Sequence, residues 1–159
     1  MKSAAELVTN SPDETMRFAE AFAGVLAPGD FVALEGELGA GKTIFVKGLA
    51  KGLGVEEYNY VNSPSFVVVK EYAGKMPLYH FDVYRLDSRY FCETMDYEKY
   101  FYSSGVTAVE WAGRITEILP EEYFNISIGY GEGDERMIRP VAYGPRPEKI
   151  LPAFLEKWR

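Results

Sequence analysis

The chain has 159 residues, 47% of them apolar, which is enough for one α/β domain over 1–159 and too few for two ordinary ones. Its formal net charge of -7 argues against a broad phosphate-backbone footprint, so any contact with RNA is expected to be indirect or weak. The single cysteine, Cys92, excludes an internal disulfide; with no apolar run of membrane-spanning length and no secretory signal pattern, no membrane contact and a cytoplasmic location are expected.

Ser11-Pro12-Asp13-Glu14 is a capping box with proline at the first helical position, and Phe18, Phe22 and Leu26 continue it as an apolar stripe. A helix is predicted over 12–26. Pro28-Gly29-Asp30 turns into the apolar strand Phe31-Val32-Ala33-Leu34, and a second helix is expected from about Gly41 to Leu53, stopped by Gly54. After the polar connection Asn62-Ser63-Pro64-Ser65, extended runs from Phe66 to Tyr72 and from Pro77 to Leu86 flank Ala73-Gly74-Lys75 as a hairpin. A helix is predicted over Glu93 to Tyr102, then a short strand Val106-Thr107-Ala108-Val109-Glu110. Tyr123 to Tyr130 and Met137 to Tyr143 form a second hairpin around Gly131-Glu132-Gly133-Asp134. The closing helix runs from about Pro147 to Lys157, with Pro152 kinking or splitting it. Together these elements predict an α/β three-layer sandwich, with a mixed, mainly parallel central sheet and an antiparallel hairpin insertion.

Between the first strand and the second helix, Gly36-Glu37-Leu38-Gly39-Ala40-Gly41-Lys42-Thr43 matches G-x-x-x-x-G-K-[ST]. Each fixed position has a task. Glycines let backbone N–H groups turn toward one point, the helix presents its positive end, Lys42 offers a point charge to the β and γ phosphates, and Thr43 offers a hydroxyl to Mg2+. The expected sandwich is therefore P-loop NTPase-like, and the expected ligand is ATP or GTP with Mg2+. The chain carries no Asn-Lys-x-Asp guanine signature, which favours ATP.

Hydrolysis or transfer also needs a carboxylate near the metal and a group that positions the attacking atom. Glu110 ends an apolar strand, where open parallel sheets place ligand-facing residues, and Trp111 follows it. In His80-Phe81-Asp82-Val83-Tyr84-Arg85, strand alternation puts His80, Asp82 and Tyr84 on one face and Phe81 and Val83 on the other. Asp82 is expected to orient a water, and Arg85 to neutralise charge on the γ-phosphoryl or hold a carboxylate. His80, the only histidine, reads as a hydrogen-bonded structural residue ahead of a catalytic base. Ser63 and Ser65 stand where a loop could sense the γ-phosphate, and equally where Ser-Pro marks an ordinary turn.

Taken in order, Gly36 to Thr43, Ser63-Pro64-Ser65-Phe66, His80 to Arg85 and Glu110-Trp111 resemble the TsaE family, over the first helix through about Tyr143. The resemblance implies an ATPase required for making N6-threonylcarbamoyladenosine at position 37 of tRNAs that read codons starting with A, working with the TsaD and TsaB proteins. It implies that Gly39, Ala40, Gly41, Lys42 and Thr43 hold the phosphates, with Gly36, Leu38 and Ile44 beside them. It gives Thr43 and Glu110 to Mg2+, catalysis to Asp82 with Lys42 and Glu110, and the place beside the metal ligand to Trp111. The backbone near Ser11 and Pro12 falls at the adenine. Three positions depart from the family pattern: Glu37 where Asp is usual, Ile44 where a second Thr is common, and Ser65 in place of Thr. None removes a phosphate ligand.

Two other activities fit the same loop. In a small-molecule or nucleoside kinase, Asp82 would deprotonate an acceptor hydroxyl, but no arginine-rich lid segment is present between the loop and the Glu110 strand. In a nucleotide-dependent binding module, the loop would hold ATP with negligible hydrolysis.

Overall fold

The computed structural model describes residues 3–64, 68–85 and 88–158. Phe31–Glu35 (β3) lies at the centre because its residues are buried on both faces: Val32 and Leu34 enter one apolar cluster, Phe31 and Ala33 the other. It pairs in parallel with Val106–Glu110 (β6) on one side and Tyr123–Tyr130 (β7) on the other. Leu78–Asp82 (β5) continues the parallel set beyond β6.

The flanks are antiparallel. Val69–Tyr72 (β4) folds back on β5, and Arg136–Tyr143 (β8) folds back on β7. Ser3–Ala4 (β1) and Leu7–Thr9 (β2) both pair with β8, completing the order β1-β8-β7-β3-β6-β5-β4 with β2 also on β8. The sheet is mixed, as expected: among the described residues its central pairings are parallel, and antiparallel pairing is more extensive than expected because both flanks carry it. The two N-terminal strands are absent from the sequence expectation, since such short edge segments carry little alternation and are held by backbone pairing.

Pro12–Ala23 (α1), Lys42–Gly52 (α2) and Pro145–Trp158 (α5) cover the face that carries Val32 and Leu34. Ser11 caps α1 as expected, its Oγ accepting the Glu14 N–H at 3.1 Å. Past Ala23 the chain tightens to bonds three residues back through Leu26, so the apolar stripe is used although the helix is shorter than expected. The last helix begins two residues earlier than expected and runs unbroken through Pro152, which sits on its exposed side.

The opposite face holds Ser88–Thr94 (α3), Glu98–Phe101 (α4) and a 3₁₀ segment, Ala112–Ile118. The single helix expected over 93–102 is thus two short ones. Phe91, Tyr97 and Phe101 all enter one aromatic cluster, with Phe91 stacked on Tyr97 at 6.0 Å and on Phe101 at 6.3 Å. A continuous helix would set Phe91 and Tyr97 about 120° apart around its axis, so the break at Met95-Asp96 helps both rings face inward. The first hairpin is shorter than expected, and Phe66 and Leu86 at the ends of its predicted runs lie outside the described residues.

The helices α1 and α2 approach through small residues. A Cβ on Gly48 would stand 2.5 Å from the Ala19 Cβ and collide with the Met16 carbonyl, and one on Gly52 would stand 2.6 Å from the Ala23 Cβ. At the other end of the layer, Arg146 clasps Asp30 with both carboxylate oxygens bonded, at 2.9 and 2.8 Å, and also reaches the Val25 carbonyl. The pair ties α5 to the turn that feeds β3.

Two outcomes follow for denaturant unfolding. Gly48→Ala gains about 1 kcal/mol of helix propensity, but the backbone collision outweighs it, and a net loss of about 1–3 kcal/mol is expected. Arg146→Ala leaves the nearly buried Asp30 carboxylate with only the Ala27 N–H, and a loss of about 1–2 kcal/mol is expected, reduced because Arg146 is partly exposed.

Candidate functional site

Parallel pairing brings three strand ends to one edge of the sheet. In the β5–β6 register Asp82 faces Glu110, and in the β3–β6 register Glu110 faces Leu34, one residue before β3 ends. The loop 36–41 leaves that same edge and enters α2 at Lys42. A cleft of about 480 Å³ opens there, lined by Leu38, Gly39, Gly41, Lys42, Thr43, Ile44, Ser63, Asp82, Tyr84, Arg85, Glu110 and Trp111. Most of the predicted site residues are therefore brought together, although they are scattered along the chain.

Gly36 lies behind the cleft, and Ala40 is buried beside it. At Gly36, φ is 148° and a Cβ would collide with the Ile128 carbonyl, so this turn requires glycine. Pro12 lines a separate cavity of about 160 Å³ with Thr15, Gly39, Ala40, Gly41, Ile44, Asp134 and Arg136, next to the loop. Ser11 is spent on the helix cap. Ser65 lies outside the described residues.

Lys42 is 4% exposed. Its ammonium donates to the carbonyls of Gly36 at 2.5 Å and Glu37 at 2.9 Å, and stands 4.0 Å from the centre of the Trp111 ring. Burial pushes its pKa below the ordinary lysine range, against the opposing pull of Glu110, Asp82 and Glu35.

Glu110 is buried at the end of β6 and makes contacts on two sides. The Thr43 hydroxyl donates to its carboxylate, 3.2 Å from each oxygen, and His80 Nε2 lies 2.5 Å from Oε2. His80 is fully buried, and its Nδ1 has no hydrogen-bond partner among the described residues. His80 is thus a buried, hydrogen-bonded residue set against the Glu110 carboxylate. Asp82 accepts from the Ser63 hydroxyl and, at 2.9 Å, from the Tyr84 N–H. Tyr84 lies beyond the end of β5, so the expected strand alternation does not extend to it, yet its ring reaches the cleft and packs on Trp111 at 4.6 Å. Arg85 stands exposed at the rim.

The donor set suits a hard cation. Thr43 supplies a hydroxyl and Glu110 and Asp82 supply carboxylate oxygens, the ligand type of Mg2+, which is commonly held by one or two carboxylates together with substrate phosphates.

Three contributors escape the sequence. Tyr130 donates through its hydroxyl to the Leu38 carbonyl at 2.6 Å, and Arg136 donates from Nε to the Ala40 carbonyl at 3.0 Å while its guanidinium lies 4.7 Å from the Tyr130 ring. The two residues flank the β7–β8 turn and clamp the loop from outside. Glu35, just before the loop, accepts the Gly113 N–H. Its pKa is raised because burial disfavours the charge more than Gly113 and Lys42 favour it. No spacing rule marks these partners, since their contacts are long-range and partly to backbone.

The family model described as "Threonylcarbamoyl adenosine biosynthesis protein TsaE" matches residues 9–138. A Bacillus subtilis (strain 168) protein described as tRNA threonylcarbamoyladenosine biosynthesis protein TsaE is 46% identical over 143 residues, covering 89% of this chain and 88% of that protein. Proteins of the same description from Treponema pallidum and Haemophilus influenzae are 40% and 37% identical, covering 76% and 90% of this chain and 88% and 94% of their own. The crystal structure of Bacillus subtilis YdiB superposes with a TM-score of 0.83 at 38% identity, over 100% of this chain and 99% of that one. By sequence and by fold, the chain belongs to the TsaE family of threonylcarbamoyladenosine biosynthesis proteins.

Proposed function

We propose that this chain is a single P-loop ATPase domain, cytoplasmic, that hydrolyses Mg2+-ATP and supports tRNA N6-threonylcarbamoyladenosine formation through an ATP-dependent interaction with TsaD and TsaB. One observation carries the reading: a buried loop lysine, a threonine hydroxyl and two strand-end carboxylates line one cleft at the C-terminal ends of the parallel strands. The relatives' names support the pathway.

In this reading the loop N–H groups and Lys42 hold the phosphates, with Thr43 and Glu110 holding Mg2+. The ion supplies charge neutralisation on the phosphate oxygens. Asp82, oriented by Ser63 and the Tyr84 N–H, positions a water for in-line attack on the γ-phosphorus. A bond forms from water oxygen to phosphorus, the bond to the bridging oxygen breaks, and ADP and phosphate leave. Departure of the γ-phosphate frees the segments around Ser63 and Asp82, changing the surface offered to the partners. Hydrolysis is then a timing step, slow in isolation.

Phosphate release measured with and without purified TsaD and TsaB is expected to rise when both are present; equal rates would remove the partner from the catalytic step. Lys42→Ala is expected to weaken ATP binding at least tenfold in calorimetry, since it removes a charge-assisted contact to the phosphates. Asp82→Ala should lower turnover about 100-fold while leaving ATP affinity within about threefold, as for a group acting mainly in the transition state. Parent-like hydrolysis by Asp82→Ala would show that its role is wrongly assigned. Glu110→Ala should move the half-saturating Mg2+ concentration upward.

A further inference from the structure

A column of four side chains runs from the base of the cleft to the surface. The Lys42 ammonium stands 4.0 Å from the centre of the Trp111 ring, the Trp111 and Tyr84 rings are 4.6 Å apart, and the Arg114 guanidinium lies 5.1 Å from the centre of the Tyr84 ring. The order is cation, ring, ring, cation, and each cation meets a face of negative potential. Lys42 is buried, Tyr84 is 37% exposed, and Arg114 is exposed.

The backbone is arranged to build this column. Trp111 has a φ of 66°, a left-handed conformation that a bulky residue rarely adopts, and it turns the ring back over Lys42 directly after the strand ends at Glu110. Its N–H is fixed on the Leu34 carbonyl at 3.0 Å, and the Arg114 N–H is fixed on the Trp111 carbonyl at 3.0 Å. Tyr84 is anchored through its own N–H to Asp82. The column is therefore tied to the ends of β3, β5 and β6 together.

Lys42 is satisfied within this arrangement: two carbonyls of its own loop accept from it and the Trp111 face lies against it. An ammonium serving an anionic oxygen has to give up part of that set. We propose that Tyr84 and Arg114 are positioning residues that hold Lys42 in its loop-bound pose through Trp111, so that nucleotide binding works against the column and is signalled at the surface by its outer members. The inference rests on the reading of Lys42 as a phosphate-binding lysine.

The sign of the effect separates this from simple structural support. Support would make affinity fall when the column is cut, whereas a hold on the competing pose makes affinity rise. The test uses the full chain with Trp158→Phe, which leaves Trp111 as the single tryptophan. Calorimetry with Mg2+-ATP is expected to show binding, and Trp111 emission is expected to change on titration. Adding Arg114→Ala should tighten ATP binding about threefold to tenfold and shift the nucleotide-free emission toward the ATP-bound value, while Arg114→Lys should restore the parent values in large part. Tyr84→Leu should act in the same direction as Arg114→Ala. Unchanged or weaker affinity in both variants, with ATP still bound by the parent, overturns the column and leaves the ATP reading intact. No heat from the parent overturns both.

Discussion

Two carboxylates stand side by side at the ends of adjacent buried strands, and the rest of the site is organised around that constraint. Asp82 and Glu110 are register partners in β5 and β6, 6% and 3% exposed. Like charges held that close, away from water, are costly unless each is hydrogen-bonded and a cation is near. Glu110 has Thr43 and His80, Asp82 has Ser63 and the Tyr84 N–H, and the Lys42 ammonium supplies the cation. Remove the cation or a donor and what remains is an unsatisfied charge in the sheet. The same concentration of oxygen ligands and positive charge is what recommends the cleft for a metal and phosphates.

The loop itself is held differently on its two sides. Outside, Tyr130 and Arg136 grip the carbonyls of Leu38 and Ala40 from the β7–β8 hairpin. Inside, Lys42 grips Gly36 and Glu37. The outer contacts come from one edge of an eight-stranded sheet, whose backbone pairing resists displacement. The inner ones come from a long side chain with freely rotating bonds, which exchanges partners at little cost to the fold. Rigidity on one side and adaptability on the other let the loop keep its shape while its lysine changes partner.

How much of this could be read from residues alone depended on whether the determining interaction was local. The loop was legible because its glycines, Lys42 and Thr43 are consecutive and each answers a backbone or charge requirement at its own position. The strands at Phe31 and Val106 were legible because residues buried on both faces must be apolar along their whole length. The broken helix around Met95 was not, since the packing of Phe91, Tyr97 and Phe101 against other elements outweighs helical periodicity there. The strands before Thr9 were equally obscure, because β8 supplies their hydrogen bonds from the far end of the chain. Within the site, Asp82 and Glu110 could be picked out as strand-end carboxylates, but the burial of His80 against Glu110 and the grip of Arg136 are tertiary facts without a sequence signal.

The overall acidity of the chain and the few charges that line the cleft act over different distances. Lys42 lies at the base of the cleft and Arg85 at its rim, in a chain of formal net charge -7. At physiological ionic strength, fields from exposed charges decay over about 8 Å, so a small anion seated in the cleft responds mainly to Lys42, the helix start and the opposing carboxylates of Asp82 and Glu110. A polynucleotide lying across the surface spans many such lengths and meets the negative excess wherever it touches. The same charge distribution therefore offers no broad basic face to a polynucleotide backbone. A family tied by name to tRNA modification is thus represented by a chain whose charge offers a polynucleotide backbone little, and whose paired buried charges gather at the C-terminal ends of the parallel strands.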